Sequence, residues 1–399
     1  MSVPKLRFKE FNNNWKLMEL REVTDIQGGG TPSTSVEEFW NGDIEWFTPT
    51  EIGNMKYVSE SKRKITSEGL SKSSAKLLPI GTILLTTRAS LGDMAISLKE
   101  VTTNQGFQSL ICKKDILNEF LYYQQPKIQK HCYTLASGST FLEISKQNLG
   151  QCIIGIPNSY EQSKLARFFS LIDEKIQKQQ EKVELLKVQK NGLLQKIFNQ
   201  ELLFKDENGQ NYSKWEKTVL GNVVEVVGGG TPSTSTEDYW NGEIQWFTPT
   251  EISEKKHVSE SRRTISEKGL KSSSAKLLPK GTVLLTTRAT LGEMAILLNE
   301  ATTNQGFQSL VPKDITTTDF IYYLQPQIRK YCYTNASGST FLEISKKALM
   351  KMPLMLPCKS EQIRISNFLS DFDYKIELEQ EKFKKLTEQK KALIQQMFI

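Results

Sequence analysis

Past Pro157 the apolar residues settle into a strict heptad. Leu165, Phe169, Ile172, Ile176, Val183, Leu186, Leu193 and Ile197 follow in alternating steps of four and three, with Gln179 and Lys190 at the two polar seam positions. Such a stripe predicts one long helix with a packing seam along it, and Asn158 to Gln162 supply a capping-box-like start. The same stripe returns at Ile365, Leu369, Phe372, Ile376, Phe383, Leu386, Leu393 and Met397, now with Glu379 and Lys390 at the polar places. Before each helix the pattern is different. Short apolar or β-branched runs such as Ile83 to Thr87 and Cys152 to Ile156 predict strands. They are separated by the turn signals GGGTPS, WNGD and LPIGT. Glu119 to Lys130 predicts a helix among them. Four segments result: a globular 1–157, a helix over 158–199, a globular 200–357 and a helix over 358–399. The fold class expected is α/β (α+β), with two mixed domains and two long helices.

The segments repeat. An offset of 200 holds without a gap from Trp15/Trp215 to Phe198/Phe398, so the chain is a tandem duplication with expected pseudo-twofold symmetry. Aligned at that offset, 82 of the 120 positions between 28 and 147 are identical, against 16 of 38 between 161 and 198. The globular part has therefore stayed more alike than the helix. A parallel, in-register pairing of the helices would set Lys190 against Lys390, a costly like-charge layer. Antiparallel, with layer numbers summing to 569, Lys190 faces Glu379 and Gln179 faces Lys390, while every other layer pairs apolar with apolar. The seam thus predicts an intramolecular antiparallel coiled coil, its twofold near Leu185/Lys385, with Gln179, Lys190, Glu379 and Lys390 fixing register. From Ile172 to Ile197 it would span about 38 Å, comparable to the roughly 34 Å between same-face sites one turn apart on B-DNA.

Composition narrows the chemistry. The five cysteines, Cys112, Cys132, Cys152, Cys332 and Cys358, include no C-x-x-C pair, which points to buried reduced thiols rather than a disulfide framework or a zinc site. No apolar run approaches a membrane span and the N-terminal residues lack a signal-peptide core, so a cytoplasmic protein is expected. Net charge is +7, compatible with a polyanionic partner but not diagnostic of one. His131 and His257 are replaced by Tyr331 and Tyr57 in the other copy, so chemistry needed in both domains could not rest on them. Neither a P-loop nor a G-x-G-x-x-G is present, nor an Asn-Pro-Pro-aromatic motif. Repeated carboxylates at Glu51/Glu251 and Glu143/Glu343 keep a metal-dependent nuclease formally open, although no metal site is expected.

The ordered set GGGTPS, WFTPTEI, TTRASLG or TTRATLG, TTNQGFQSL and GSTFLEISK, then Pro-x-x-x-Glu-Gln (Pro157 to Gln162, Pro357 to Gln362) and a helix ending LLQKIF or LIQQMF, occurs twice. In this combination the chain resembles the specificity subunit of type I restriction–modification enzymes. The resemblance implies two target recognition domains, each reading one half of a bipartite double-stranded DNA site, with the helices setting the spacing. It implies as partners methyltransferase subunits, two in number, that modify adenine at N6, and restriction/translocase subunits. It also implies that this chain is non-catalytic and holds no cofactor, S-adenosylmethionine being bound by the methyltransferase subunit.

Candidate DNA contacts are polar, duplicated and next to turns. Thr87 and Thr287 precede Arg88 and Arg288, which could reach a phosphate or a guanine edge or pair with a carboxylate of their own domain. Thr48, Thr50 and Glu51, with Thr248, Thr250 and Glu251, suit either base contacts or turn and cap hydrogen bonds. Asn104, Gln105 and Gln108, with Asn304, Gln305 and Gln308, could read adenine or form a buried amide network. Ser137, Ser139 and Thr140, with Ser337, Ser339 and Thr340, make either a phosphate nest or a helix cap feeding Phe141 to Lys146, and Lys346 matches Lys146. Lys62 and Arg63, with Arg262 and Arg263, suit a solvated face or phosphate contact. Trp40, Trp46, Phe47 and Phe107 read as core. Near-identical domains predict near-identical half-sites, hence an inverted-repeat target. Residues 53–57 (GNMKY) differ from 253–257 (SEKKH), and if that loop reads bases the halves will differ there. The rival readings are a two-headed protein-binding scaffold and a stand-alone DNA-binding protein.

Overall fold

The computed structural model describes residues 3–53, 55–88, 90–137, 142–252, 255–288, 290–337 and 342–399. It divides into two units. The first holds residues 1–181 and 380–399, the second residues 182–379, so each unit takes its helical part from both repeats.

In the first unit the strands are β1 (Lys16–Glu19), β2 (Thr24–Gly28), β3 (Trp40–Phe47), β4 (Tyr57–Val58), β5 (Arg63–Ile65), β6 (Ile83–Leu85), β7 (Met94–Ser97), β8 (Val101–Thr103), β9 (Gln108–Cys112) and β10 (Ile153–Ile156). They form a five-stranded sheet in the order β2-β9-β6-β7-β4, a three-stranded sheet β5-β3-β8 and the pair β1-β10. Strand β6 is an unbroken apolar run because both faces of its sheet are covered. Alternation sends Ile83 and Leu85 into a large core with Phe120, Ile128 and Leu149, while Leu84 joins Phe47, Val101 and Phe107 on the other face. A small third cluster holds Trp40, Trp46, Ile65 and Ala75. The four aromatic residues read as core are buried, at 7% exposure or less. The second unit repeats this topology.

The predicted long helices run over Ser159–Phe198 and Lys359–Met397. Asn158 caps the first, its Oδ1 accepting from the Glu161 amide at 2.9 Å. In the first unit the Phe169 ring lies 5.6 Å from that of Phe398, and Asp173 ion-pairs with Lys390. One number rises as the other falls, so the helical segments are antiparallel. In the second unit Lys190 ion-pairs with Asp373, and Lys182 with Glu379 at 3.0 Å. The direction matches the heptad argument but the register does not: the ion pairs sum to 561 or 563 rather than 569, and Lys190 and Lys390 find Asp373 and Asp173 instead of Glu379 and Gln179. The seam reading treated each lysine as a layer residue. In the structure each ammonium instead sits near a tyrosine ring of the globular part, Lys190 5.4 Å from Tyr323 and Lys390 5.5 Å from Tyr123. The docked domain, not the seam alone, sets the alignment.

Three further expectations change. The helix read over 119–130 is two helices, Asn118–Tyr122 and Gln125–Leu135; Pro126 has no N–H to continue the first and stands in the opening turn of the second. The helix expected over Phe141 to Lys146 begins only at Lys146, where Ser145 Oγ caps Asn148 N at 3.1 Å. All five cysteines are free thiols, but only Cys132, Cys152 and Cys332 are buried. Among the described residues no helix is long and apolar enough to cross a membrane.

Candidate nucleic-acid interface

Four polar loops of the first unit are tied into one surface. The loop after β2 is pinned from below, where Trp46 Nε1 donates to Gly30 O at 2.9 Å and Trp40 Nε1 to Ser33 O at 3.0 Å. A Cβ on Gly29 would fall 2.1 Å from the Asn104 carbonyl oxygen, so only glycine lets the backbones approach this closely. Thr31 Oγ1 donates to Gln105 Oε1, and Asn104 Oδ1 accepts from Gly106 N at 2.8 Å. Thr48 and Glu51 form a capping box: Glu51 Oε2 accepts from Thr48 N at 2.8 Å and Thr48 Oγ1 at 2.7 Å, while Oε1 accepts from Lys62 N at 2.7 Å. The carboxylate therefore clamps the 48–51 turn onto Lys62, the residue before β5. Lys62, Arg63, Thr50 and Gln105 stay exposed, with the Arg63 guanidinium 3.6 Å over the Trp40 ring, an arrangement that holds a cation in place without neutralising it.

The TTRASLG segment is a tight turn adjoining this surface. Thr86 N donates to Asp93 O at 2.9 Å, Gly92 N to Thr86 O at 2.8 Å, and Thr87 N to Gly106 O at 2.8 Å. Arg88 stands at its tip, half exposed, with Nη2 3.0 Å from Glu143 Oε1; Glu143 is held by paired backbone hydrogen bonds with Ser137. Thr87 does not reach the surface. It is buried and its hydroxyl has no partner among the described residues, because the alternation of β6 carries on past Leu85 and turns it inward. The buried Oε1 of Gln108 is likewise unpartnered. Lys146 is exposed in the first turn of its helix. Ser139 and Thr140, and Ser339 and Thr340, lie outside the described residues.

The second unit repeats the surface. Thr248 and Glu251 form the same capping box, with Thr250 exposed beside it and Arg262 N donating to Glu251 Oε1 at 2.6 Å. Arg263 lies 3.6 Å over Trp240, Arg288 pairs with Glu343 at 2.9 Å, Thr231 donates to Gln305, and Asn304 accepts from Gly306 N at 2.8 Å. Thr287 is buried, as is the unpartnered Oε1 of Gln308; Ser337 and Lys346 are exposed. No group of three or more His, Cys, Asp or Glu residues among those described could hold a metal ion.

The family model described as "Type I restriction modification DNA specificity domain" matches twice, over residues 12–187 and 212–388. The chain belongs to that family. Among its relatives is the type I restriction enzyme MjaIX specificity subunit of Methanocaldococcus jannaschii, 33% identical over 228 residues, which are 54% of this chain and 53% of the relative. The chain thus spans about half the length of that relative. The putative type I restriction enzyme MjaX specificity subunit of the same organism is 23% identical over 98% of this chain and 94% of its own length. A solved chain from a study of complex assembly and conformational transition in the type I R-M system shares the fold, with a TM-score of 0.66 and 18% identity over 96% of this chain and 97% of its own.

One anchoring contact is not legible as such in the sequence. Lys56 Nζ donates to Ser170 Oγ at 2.7 Å and Tyr123 Oη at 3.0 Å, and Tyr123 Oη donates to Asp173 at 2.7 Å, fastening the 53–57 loop to the long helix. Burial pushes the Lys56 ammonium below its usual pKa, against the pull of Glu119 and Asp173. Lys256 repeats the contacts with Ser370 and Tyr323. A signal was present, since Lys56/Lys256 is the one identity in a loop that otherwise diverges.

Proposed function

We propose that this chain is the non-catalytic DNA-recognition subunit of a type I restriction–modification complex. Each unit reads one half of a bipartite duplex target, and the halves form an inverted repeat. The observation that carries the reading is the duplicated loop surface, which presents Lys62, Arg63, Thr50 and Gln105 in one unit and Arg262, Arg263, Thr250 and Gln305 in the other on the same internal ties. Exposed cations held by stacking suit phosphates, while hydroxyls and amides beside them suit base edges. Arg88 and Arg288, each already paired with a carboxylate 2.9–3.0 Å away, would exchange that partner for a phosphate on binding. The modest charge fits a subunit that grips DNA together with partners: two methyltransferase subunits, which would bind S-adenosylmethionine and modify adenine, and the restriction/translocase subunits, in the cytoplasm.

Binding to duplex DNA measured against salt tests this. A phosphate-contacting complex weakens steeply as salt rises, and Arg63→Ala should reduce the slope by about 1. A protein-binding scaffold would show no DNA term at all.

A further inference from the structure

Some differences between the two units compensate in pairs. Glu45 accepts from Ser61 N at 2.7 Å and ion-pairs with Lys64 at 2.9 Å; in the second unit Gln245 accepts from Ser261 N at 2.6 Å, and the lysine has become Thr264. Charge leaves both positions together and the hydrogen bond stays. Gln129 Nε2 approaches Asp93 at 3.4 Å, and the second unit keeps a contact there as an ion pair, Arg329 on Glu293 at 2.8 Å. Such exchanges keep the scaffold unchanged.

Another difference is not compensated in this way. Beside the Glu251 clamp the second unit has a cleft of about 530 Å³ whose lining includes Lys255, His257, Glu260 and Arg262, where the first unit carries Met55, Tyr57, Glu60 and Lys62. Tyr57 is committed internally: its hydroxyl donates to Glu119 and its ring packs on the main core. The residue matching Glu119 is Asp319, which draws Lys256 in to 2.7 Å where Glu119 stands 3.9 Å from Lys56, and His257 is exposed. Partial desolvation of the ring, then the Lys256 charge, push the imidazole below its usual pKa, which favours the neutral ring with one N–H donor and one acceptor. Met55 is 67% exposed, an apolar group where the second unit has an ammonium.

We propose that this cleft makes the two half-sites unequal. Lys255, His257 and Arg262 read an acceptor-rich guanine edge, whereas Met55 takes a thymine methyl at the matching position of the other half. This rests on the DNA-recognition reading above and refines it: the half-words are reverse complements except at the position the cleft reads. A two-donor contact to guanine and an apolar contact to a thymine methyl are the base-edge pairings these side chains allow.

The test is selection from random duplex DNA by the full chain assembled with its methyltransferase subunits. It compares the parent with a triple exchange that makes the second cleft like the first: Lys255→Met, His257→Tyr and Arg262→Lys. In the parent the two half-words should differ at one position by roughly ten- to hundred-fold in preference. In the exchanged chain that difference should vanish. Imported residues already occupy the matching positions of the sister unit, and Lys255→Met alone, at an exposed position, serves as a second variant that leaves folding intact. Enriched half-words that stay unchanged in both variants would overturn the assignment of this cleft while leaving DNA recognition standing. Half-words already identical in the parent would overturn it as well. No enriched words in any assembled chain would remove the recognition reading itself, and this inference with it.

Discussion

Glu51 shows how far a single residue's role could be read from its neighbours. The sequence admits a base-reading carboxylate or a turn clamp, and the structure gives both oxygens to the clamp. Glu51→Ala leaves three donors without an acceptor and should cost about 1–2 kcal/mol, seen as a lower urea midpoint; an unchanged midpoint would contradict the clamp. A second contrast lies at the helix starts. Glu161 accepts bidentately from Arg7 at 2.7 Å, and Trp15 Nε1 is buried without a partner among the described residues, while Glu361 accepts from Trp215 Nε1 at 3.0 Å. Burial raises the Glu361 pKa, and the tryptophan bond only partly offsets this. A carboxyl whose folded pKa exceeds its unfolded value contributes stability below the ordinary carboxylate range and loses it as pH rises through the raised value. Glu361→Gln should therefore raise stability at about pH 8 by on the order of 1 kcal/mol, read as a higher melting temperature, with the gain fading toward about pH 4. Glu161→Gln should do the opposite, costing roughly 3 kcal/mol by stranding Arg7. Neither asymmetry could be read from local pattern, because the partners lie 154 and 146 positions apart.

At the scale of elements, periodicity carried most of the information. Long helices, short strands and the antiparallel direction follow from spacing and from like-charge avoidance, because these depend on residues close along the chain or on two facing stripes. Register did not follow, because Lys390 answers to Asp173 and to the Tyr123 ring from the domain packed beside the helix. A double-mutant cycle measures this directly. Asp173→Lys should destabilise the first unit by about 3 kcal/mol, by breaking a part-buried pair and setting two ammoniums together. Adding Lys390→Asp should recover much of the loss, with a coupling of 1 kcal/mol or more. Additive effects would show that the pair does not hold the helices in register. The buried Thr87 is the matching lesson in the loops: a polar residue beside a turn looks like a contact residue until the strand before it fixes which way it faces.

For the whole molecule, the duplication makes the family assignment and the proposed target legible together. The same surface built twice, over positions that have stayed more alike than the helices, is what a reader of two nearly equal half-words requires. The measurement closest to that claim is the selection of binding sites from random duplex DNA by the chain assembled with its methyltransferase subunits, at near-physiological salt. The account predicts two short words, inverted with respect to one another and equal but for the position the second cleft reads, at one fixed gap. Two unrelated words, or words in direct rather than inverted repeat, would contradict it.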